Sequence, residues 1–224
     1  MIKIILPWLV LILPLSVFAQ QNNDLEPASR HPLSVRVNLF GPLDILDGNF
    51  TGGIEYGISP RLSLTGDLGA IVYSAYLNNN SRALGYLFKP GLKYYFTEKR
   101  RGYVEGNIFY KRVGYKVDGW LSRGNINGVP SYEENRIFIY RKRVAGLQFL
   151  AGYKARLNKK STVWLDSYGG LSVRMKWQDI KDLPDAVYRR DNIFFDGLRE
   201  NYSIYPGFQM GLRLVFDLGI APTL

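Results

Sequence analysis

From Leu33 onward the chain alternates apolar and polar residues with a period of two, the mark of strands whose two faces meet different surroundings. The first such segment runs from Leu33 to Ile45, with Leu33, Val35, Val37, Leu39, Leu43 and Ile45 on one face and Ser34, Arg36, Asn38 and Asp44 on the other. The second, Phe50 to Ile58, sets Ile54, Tyr56 and Ile58 against Gly53, Glu55 and Gly57. The third, Arg61 to Tyr73, sets Leu62, Leu64, Leu68, Ala70 and Val72 against Ser63, Thr65 and Asp67. In the fourth, LGYLFKPGLKYYF at 84–96, Tyr86, Phe88, Pro90, Leu92, Tyr94 and Phe96 oppose Gly85, Leu87, Lys89, Gly91, Lys93 and Tyr95.

Four more segments follow. The fifth, Tyr103 to about Lys116, sets Val104, Ile108 and Tyr110 against Glu105, Asn107 and Lys111. The sixth, roughly Phe138 to Leu157, is irregular in its first half and then sets Leu147, Phe149, Ala151, Tyr153, Ala155 and Leu157 against Gln148, Gly152, Lys154 and Arg156. The seventh is Thr162 to Trp177, with Asp166, Ser172, Arg174 and Lys176 on its polar face, and the eighth is Tyr205 to Phe216, with Gln209, Gly211 and Arg213 on its polar face.

The connections alternate as well. Residues 59–61, 97–102 and 158–161 are short, whereas 46–49, 75–83, 117–135 and 178–203 are longer or looser. An even number of strands with short turns at one end and long loops at the other predicts an all-β, eight-stranded antiparallel outer-membrane β-barrel, with the short turns in the periplasm and the long loops outside. Pro90 has no N–H for a ladder, so a bulge or a missing bond is expected there.

Face assignment decides between two barrels. A soluble periplasmic ligand-binding barrel would turn its apolar faces inward around a cavity. A membrane barrel would turn them outward and bury the other face. On that second reading the inward charge nearest each short-turn end comes from Arg36, Glu55, Asp67, Lys93, Glu105, Lys154, Asp166 and Arg213, one per strand, with mostly alternating sign. These eight are expected to form one lumen ring, with Glu105 a partner for Lys93.

Composition sharpens the location. Residues 1–19, MIKIILPWLVLILPLSVFA, carry one base and a continuous apolar core and end in small residues, which reads as a secretory signal peptide. Residues 20–32 read as a mobile N-terminal segment, 33–217 as the barrel and 218–224 as a tail. Loss of the leader removes Lys3 and no acid, so the formal charge falls from +10 to +9. An exported basic chain points to an anionic membrane surface rather than nucleic acid. With no cysteine there is no disulfide framework, and beyond the leader no apolar run is long enough for a spanning helix.

The last strand reads QMGLRLVF, with Gln209, Gly211, Leu214 and Phe216 at the spacing of a C-terminal signal that resembles the one read by the barrel-assembly machinery. More broadly, VRVNLF (35–40), GGIEYGISPRLSL (52–64), the 84–96 strand, RRGYVEGNIFY (100–110) and LQFLAGYKARL (147–157) resemble small bacterial outer-membrane barrels of a domain family of unknown function. The resemblance implies the fold and a Gram-negative outer-membrane location. It implies no activity.

Catalytic chemistry finds little support. Outer-membrane barrels that are enzymes resemble one another in relying on His, whose pKa suits proton transfer near neutrality. The single His31 precedes the first strand, between Arg30 and Pro32. No Cys or second His favours a zinc site, and neither Asp179, Asp182 and Asp185 nor Asp44 and Asp47 match a calcium loop. No cofactor, metal or catalytic residue is expected. An eight-stranded lumen is just wide enough for its own side chains, so a plugged barrel is expected, with a narrow anion-selective channel as the alternative.

What remains is basic charge in the outward half. Lys111, Arg112, Lys116, Arg141, Lys142, Arg143, Arg174 and Lys176 fall on three successive strands and are expected to face lipopolysaccharide, whose phosphates Arg binds in a bidentate manner. The chain therefore reads as a structural or binding barrel. Its expected partners are outer-membrane lipid and lipopolysaccharide, the barrel-assembly machinery during insertion, and an envelope protein partner met through loops 117–135 and 178–203. Those loops carry Trp120, Tyr132, Tyr188, Phe194 and Phe195, aromatics suited either to such an interface or to a lid in which the two loops pack on one another.

Overall fold

The computed structural model describes residues 33–41, 48–74, 82–124, 130–157, 162–183, 186–188 and 202–218. The alternating segments form β1 (Leu33–Asn38), β2 (Gly48–Gly57), β3 (Leu62–Tyr73), β4 (Arg82–Tyr95), β5 (Gly102–Arg123), β6 (Tyr132–Arg156), β7 (Val163–Ile180), a two-residue β8 (Val187–Tyr188) and β9 (Tyr202–Asp217). The order β4-β3-β2-β1-β9-β7-β6-β5 is antiparallel throughout, and a β4–β5 pairing closes it into a ring of eight. Short β8 sits outside that ring, on β5 at Leu121 and Ser122.

Register fixes the barrel's shape. Stepping across the ladders from Val37 passes Gly52, Leu68, Phe88, Tyr110, Ala145 and Met175 and reaches Ile204, while Val37 itself pairs with Leu214, so the ring closes with a displacement of ten residues along β9. At a rise of about 3.3 Å per residue and about 4.8 Å between strands, that displacement tilts the strands by roughly 40° and gives a backbone cylinder roughly 16 Å across. Side chains fill a cylinder of that size.

The two faces divide sharply. Leu68, Phe149 and Leu171 point out of the ring and are 68%, 67% and 67% exposed, while Arg36, Lys93, Glu105 and Asp166 point into it and are 1% exposed or less. On β4 the outward residues Tyr86, Phe88, Leu92 and Tyr94, and Phe96 just after it, are all exposed, and Lys89, Lys93 and Tyr95 are buried. An arrangement with apolar faces inward is not what this chain adopts around its lower ring.

Several boundaries differ from the sequence reading. The expected loop 117–135 is mostly strand: β5 and β6 pair without interruption from Gly102↔Tyr153 to Arg123↔Tyr132. β5 therefore outruns its β4 partner, whose pairing ends at Arg82↔Lys116, and the two strands continue as a ribbon beyond the ring. The inner face of the ribbon is apolar. Val113, Tyr115, Val117, Leu121, Phe138 and Tyr140 join Ile71, Ala83 and Ile180 in a buried cluster at the long-loop end, and Leu183, Ala186 and Tyr188 pack against it. Residues 42–47, at the end of the expected first strand, lie outside the described residues, as do His31, Asp185, Phe194 and Phe195.

Pro90 leaves a gap rather than a bulge. It pairs with Gly66 on β3, but on the other side the β4–β5 ladder passes from Phe88↔Tyr110 directly to Gly91↔Asn107. The register is the same on both sides of the gap, so the missing donor interrupts the ladder without adding a residue.

Candidate functional site

All eight side chains of the expected ring converge in the lumen near the short-turn end, each 5% exposed or less. Four are bases and four are acids, so their charges cancel. Three of the pairs stand directly opposite across a ladder: Lys93 and Glu105, Lys154 and Asp166, and Asp166 and Arg213. These are not the tight contacts. Lys93 is 3.8 Å from Glu105, and Arg213 is 3.8 Å from Asp166.

The short contacts skip strands or cross the barrel. Arg36 on β1 donates to Asp67 on β3 at 2.6 Å and to Glu105 on β5 at 3.2 Å. Lys154 on β6 donates to both oxygens of Glu55 on β2, at 3.1 and 3.0 Å. Lys93 on β4 reaches Glu55 at 3.0 Å and Asp166 on β7 at 3.2 Å, and Arg213 on β9 reaches Glu105 at 2.9 Å. In the ring order β2 lies diametrically opposite β6, and β1 opposite β5. The network therefore staples the wall across its full diameter. Long side chains projecting inward from a narrow cylinder meet near its axis, so the partner across the lumen is as reachable as the neighbour.

Aromatic hydroxyls complete it. Tyr95 donates to Glu55, and Tyr103 donates to Asp166 at 2.5 Å. The Lys93 ammonium lies 4.0 Å from the centre of the Tyr103 ring, and the Arg213 guanidinium 4.0 Å from that of Tyr168. Arg100, from the short turn, caps the layer at 3.2 Å from Glu55. Room for the rings comes from glycine. Tyr103 stands opposite Gly152 and Tyr168 opposite Gly211, and a Cβ at either glycine would fall 2.4 or 2.3 Å from the facing tyrosine.

The expected basic surface is divided by the pleat. Arg112, Lys116, Arg141 and Arg143 point outward, whereas Lys111, Lys142, Arg174 and Lys176 lie on the lumen side. Lys142 is 5% and Lys176 1% exposed, Lys142 lies 5.4 Å from the Tyr115 ring centre, and Arg174 donates to buried Ser172 at 3.0 Å. Four of the eight therefore do not belong to an outer surface. The sequence reading placed them there by counting distance along the strands without following parity.

Outside, a different set assembles. One row across four strands reads Tyr86, Arg112, Arg143, Trp177, and the next row up reads Leu84, Gly114, Arg141, Asp179. Arg82 and Lys116 are paired above them. Arg82, missed in the sequence, shares the outward parity of Tyr86 and Phe88. Asp179 holds Arg141 and, at 2.9 Å, Arg143. Gly114 floors the patch, and a Cβ there would meet Ile139 in ordinary van der Waals contact at 3.7 Å.

Among the described residues no group of three His, Cys, Asp or Glu is arranged to hold a metal. Asp179 is engaged by the two arginines, and Asp182 lies 3.9 Å from Lys181. Comparison with protein-family models, with curated proteins and with solved structures finds no match for the chain.

Proposed function

We propose that the chain is a non-enzymatic outer-membrane β-barrel protein whose lumen is closed by its own side chains and whose outward basic face binds the phosphates of lipopolysaccharide. The observation that carries this reading is the polarity of the wall: charged side chains inside, large apolar side chains outside. A soluble protein rarely leaves so large a contiguous apolar surface in water.

The outer surface has the dimensions of a lipid belt. Tyr94 and Phe96 lie toward the short-turn end, and the ring pairs Tyr86–Tyr110 (6.1 Å) and Trp177–Tyr202 (5.9 Å) lie toward the other. Tyr86 and Tyr94 are eight residues apart on β4, which at a tilt of roughly 40° gives roughly 20 Å of height, close to the apolar band of about 25 Å between aromatic girdles. The Arg112–Arg143 row begins where the belt ends, at the level of phosphorylated headgroups. On this reading the ribbon of β5 and β6 projects beyond the membrane and exposes Trp120, Tyr132 and Ile137 to an envelope partner.

A narrow anion channel would need a path through the charge layer and then past the apolar cluster at the far end. Two measurements test the proposal. Expressed in a Gram-negative host, the chain is expected to sediment with outer membranes and to need detergent for release. Reconstituted in a planar bilayer, it is expected to be silent. Recovery in the periplasmic supernatant would overturn the membrane reading, and steady anion-selective current would overturn the closed lumen.

A further inference from the structure

Above the balanced layer, and nearer to it than the buried Lys142 and Lys176, sits a further buried base. Lys89 is 8% exposed and points into the lumen from β4. Its register neighbour Asp67 is held by Arg36 at 2.6 Å, and no ion pair among the described residues includes Lys89. Asp67 and Glu105, the acids that act on it, are already held by Arg36 and Arg213. Its ammonium therefore has no carboxylate of its own. A buried charge left in that condition is costly.

Unused donors surround the same level. Arg36 gives Nε to Asp67 and Nη1 to Glu105, and Arg213 gives Nη1 to Glu105, which leaves the Nη2 of each buried without a partner. Asn107, 3% exposed, has neither carboxamide atom paired. It stands two residues above Glu105 on the inner face of β5 and directly opposite Gly91, two residues from Lys89. Its carboxamide lies over that glycine, where a Cβ would come within 2.0 Å of Oδ1. Gln148, directly opposite Asn107 on β6, likewise has its Oε1 buried without a partner.

We infer that the lumen holds one small monovalent anion, of halide size, bound by Lys89 with Asn107 Nδ2 and the free Nη2 groups of Arg36 and Arg213. Water would satisfy the hydrogen bonds but not the charge. The anion is a fixed structural ligand that compensates the charge of Lys89, and it carries no current. The inference stands on the interior geometry alone, so it survives or fails independently of where the barrel resides.

The test uses the full chain refolded in detergent, melted in sodium chloride, sodium bromide and sodium gluconate at equal ionic strength. The halides are expected to raise the melting temperature saturably over gluconate, and crystals grown in bromide are expected to show an anomalous peak beside Lys89. Lys89→Met is expected to abolish both effects. Should that variant fail to fold, Asn107→Leu is expected to raise the half-saturating halide concentration about tenfold, the loss of one charge-assisted hydrogen bond. Identical melting in all three salts, or no bromide peak at Lys89, would overturn the site, as would halide dependence unchanged in either variant.

Discussion

The ammonium of Lys93 on β4 donates to the carboxylate of Glu55 on β2 at 3.0 Å, across the whole width of the intervening strand. Glu55 also accepts from Lys154, Tyr95 and Arg100, so one carboxylate gathers side chains from β4, from β6 and from the short turn after β4. The barrel is thus held by its ladders around the circumference and by this network through the middle.

Glu55→Gln is the direct probe of that hub. It removes the charge but keeps the shape, leaving Lys93 and Lys154 buried and under-compensated, and is expected to destabilise the barrel by about 3–5 kcal/mol. Chemical unfolding in detergent reads the loss. Glu98→Gln, at the exposed 4.0 Å pair with Arg61, is the control and is expected to change stability by less than about 0.5 kcal/mol.

Tyr103 links sheet register to the network, since its ring fills the space above Gly152 and its hydroxyl holds Asp166 at 2.5 Å. Tyr103→Phe is expected to cost about 1–3 kcal/mol, the value of one buried acceptor losing its donor. Gly152→Val is expected to cost more, because it displaces the ring as well as the bond. Equal stability of the glycine variant and the parent would show that the ring does not depend on that space.

On the outer face, Arg112 and Arg143 stand directly opposite each other across β5 and β6. Like charges at that spacing are mutually destabilising, so Arg112→Gln is expected to leave folding stability unchanged or slightly higher. The same variant is expected to lower retention of lipid A phosphate during purification in detergent, and Arg112→Glu with Arg143→Glu to lower it further. Lys142→Gln, on the lumen side, is expected to have no effect on lipid. Equal lipid binding by all these variants would remove the basic row from the account.

How far the sequence carried depends on which contrast it used. Period-two alternation put Lys93 and Glu105 on one face and Phe88 and Leu92 on the other, because a strand's parity is local. The pairing of Lys93 with Glu55 was not legible, because it arises from closure of the ring and from side chains meeting at the axis. Residues 117–135 read as a loop for a different reason. Beyond the apolar belt the contrast reverses, with Val113, Tyr115 and Val117 buried and Arg112, Lys116 and Asp118 outside. The alternation persists there with inverted polarity, which is also why the first half of β6 looked irregular: Phe138 and Tyr140 are inside, Arg141 and Arg143 outside. Division of the basic patch needed only parity, counted from Glu105, Lys154 and Asp166.

The central claim is that the apolar face of the ring lies in lipid and the charged face does not. Because the chain has no cysteine, single-cysteine spin labels can be placed cleanly at Leu68, Phe88 and Leu92 on the outer face and at Thr51 and Leu87 on the inner face. In reconstituted bilayers the three outer labels are expected to collide freely with dissolved oxygen and hardly at all with a water-soluble nickel chelate. The inner labels are expected to be shielded from both. Ready access of the nickel chelate to Phe88 and Leu92 would put that face in water and contradict the account.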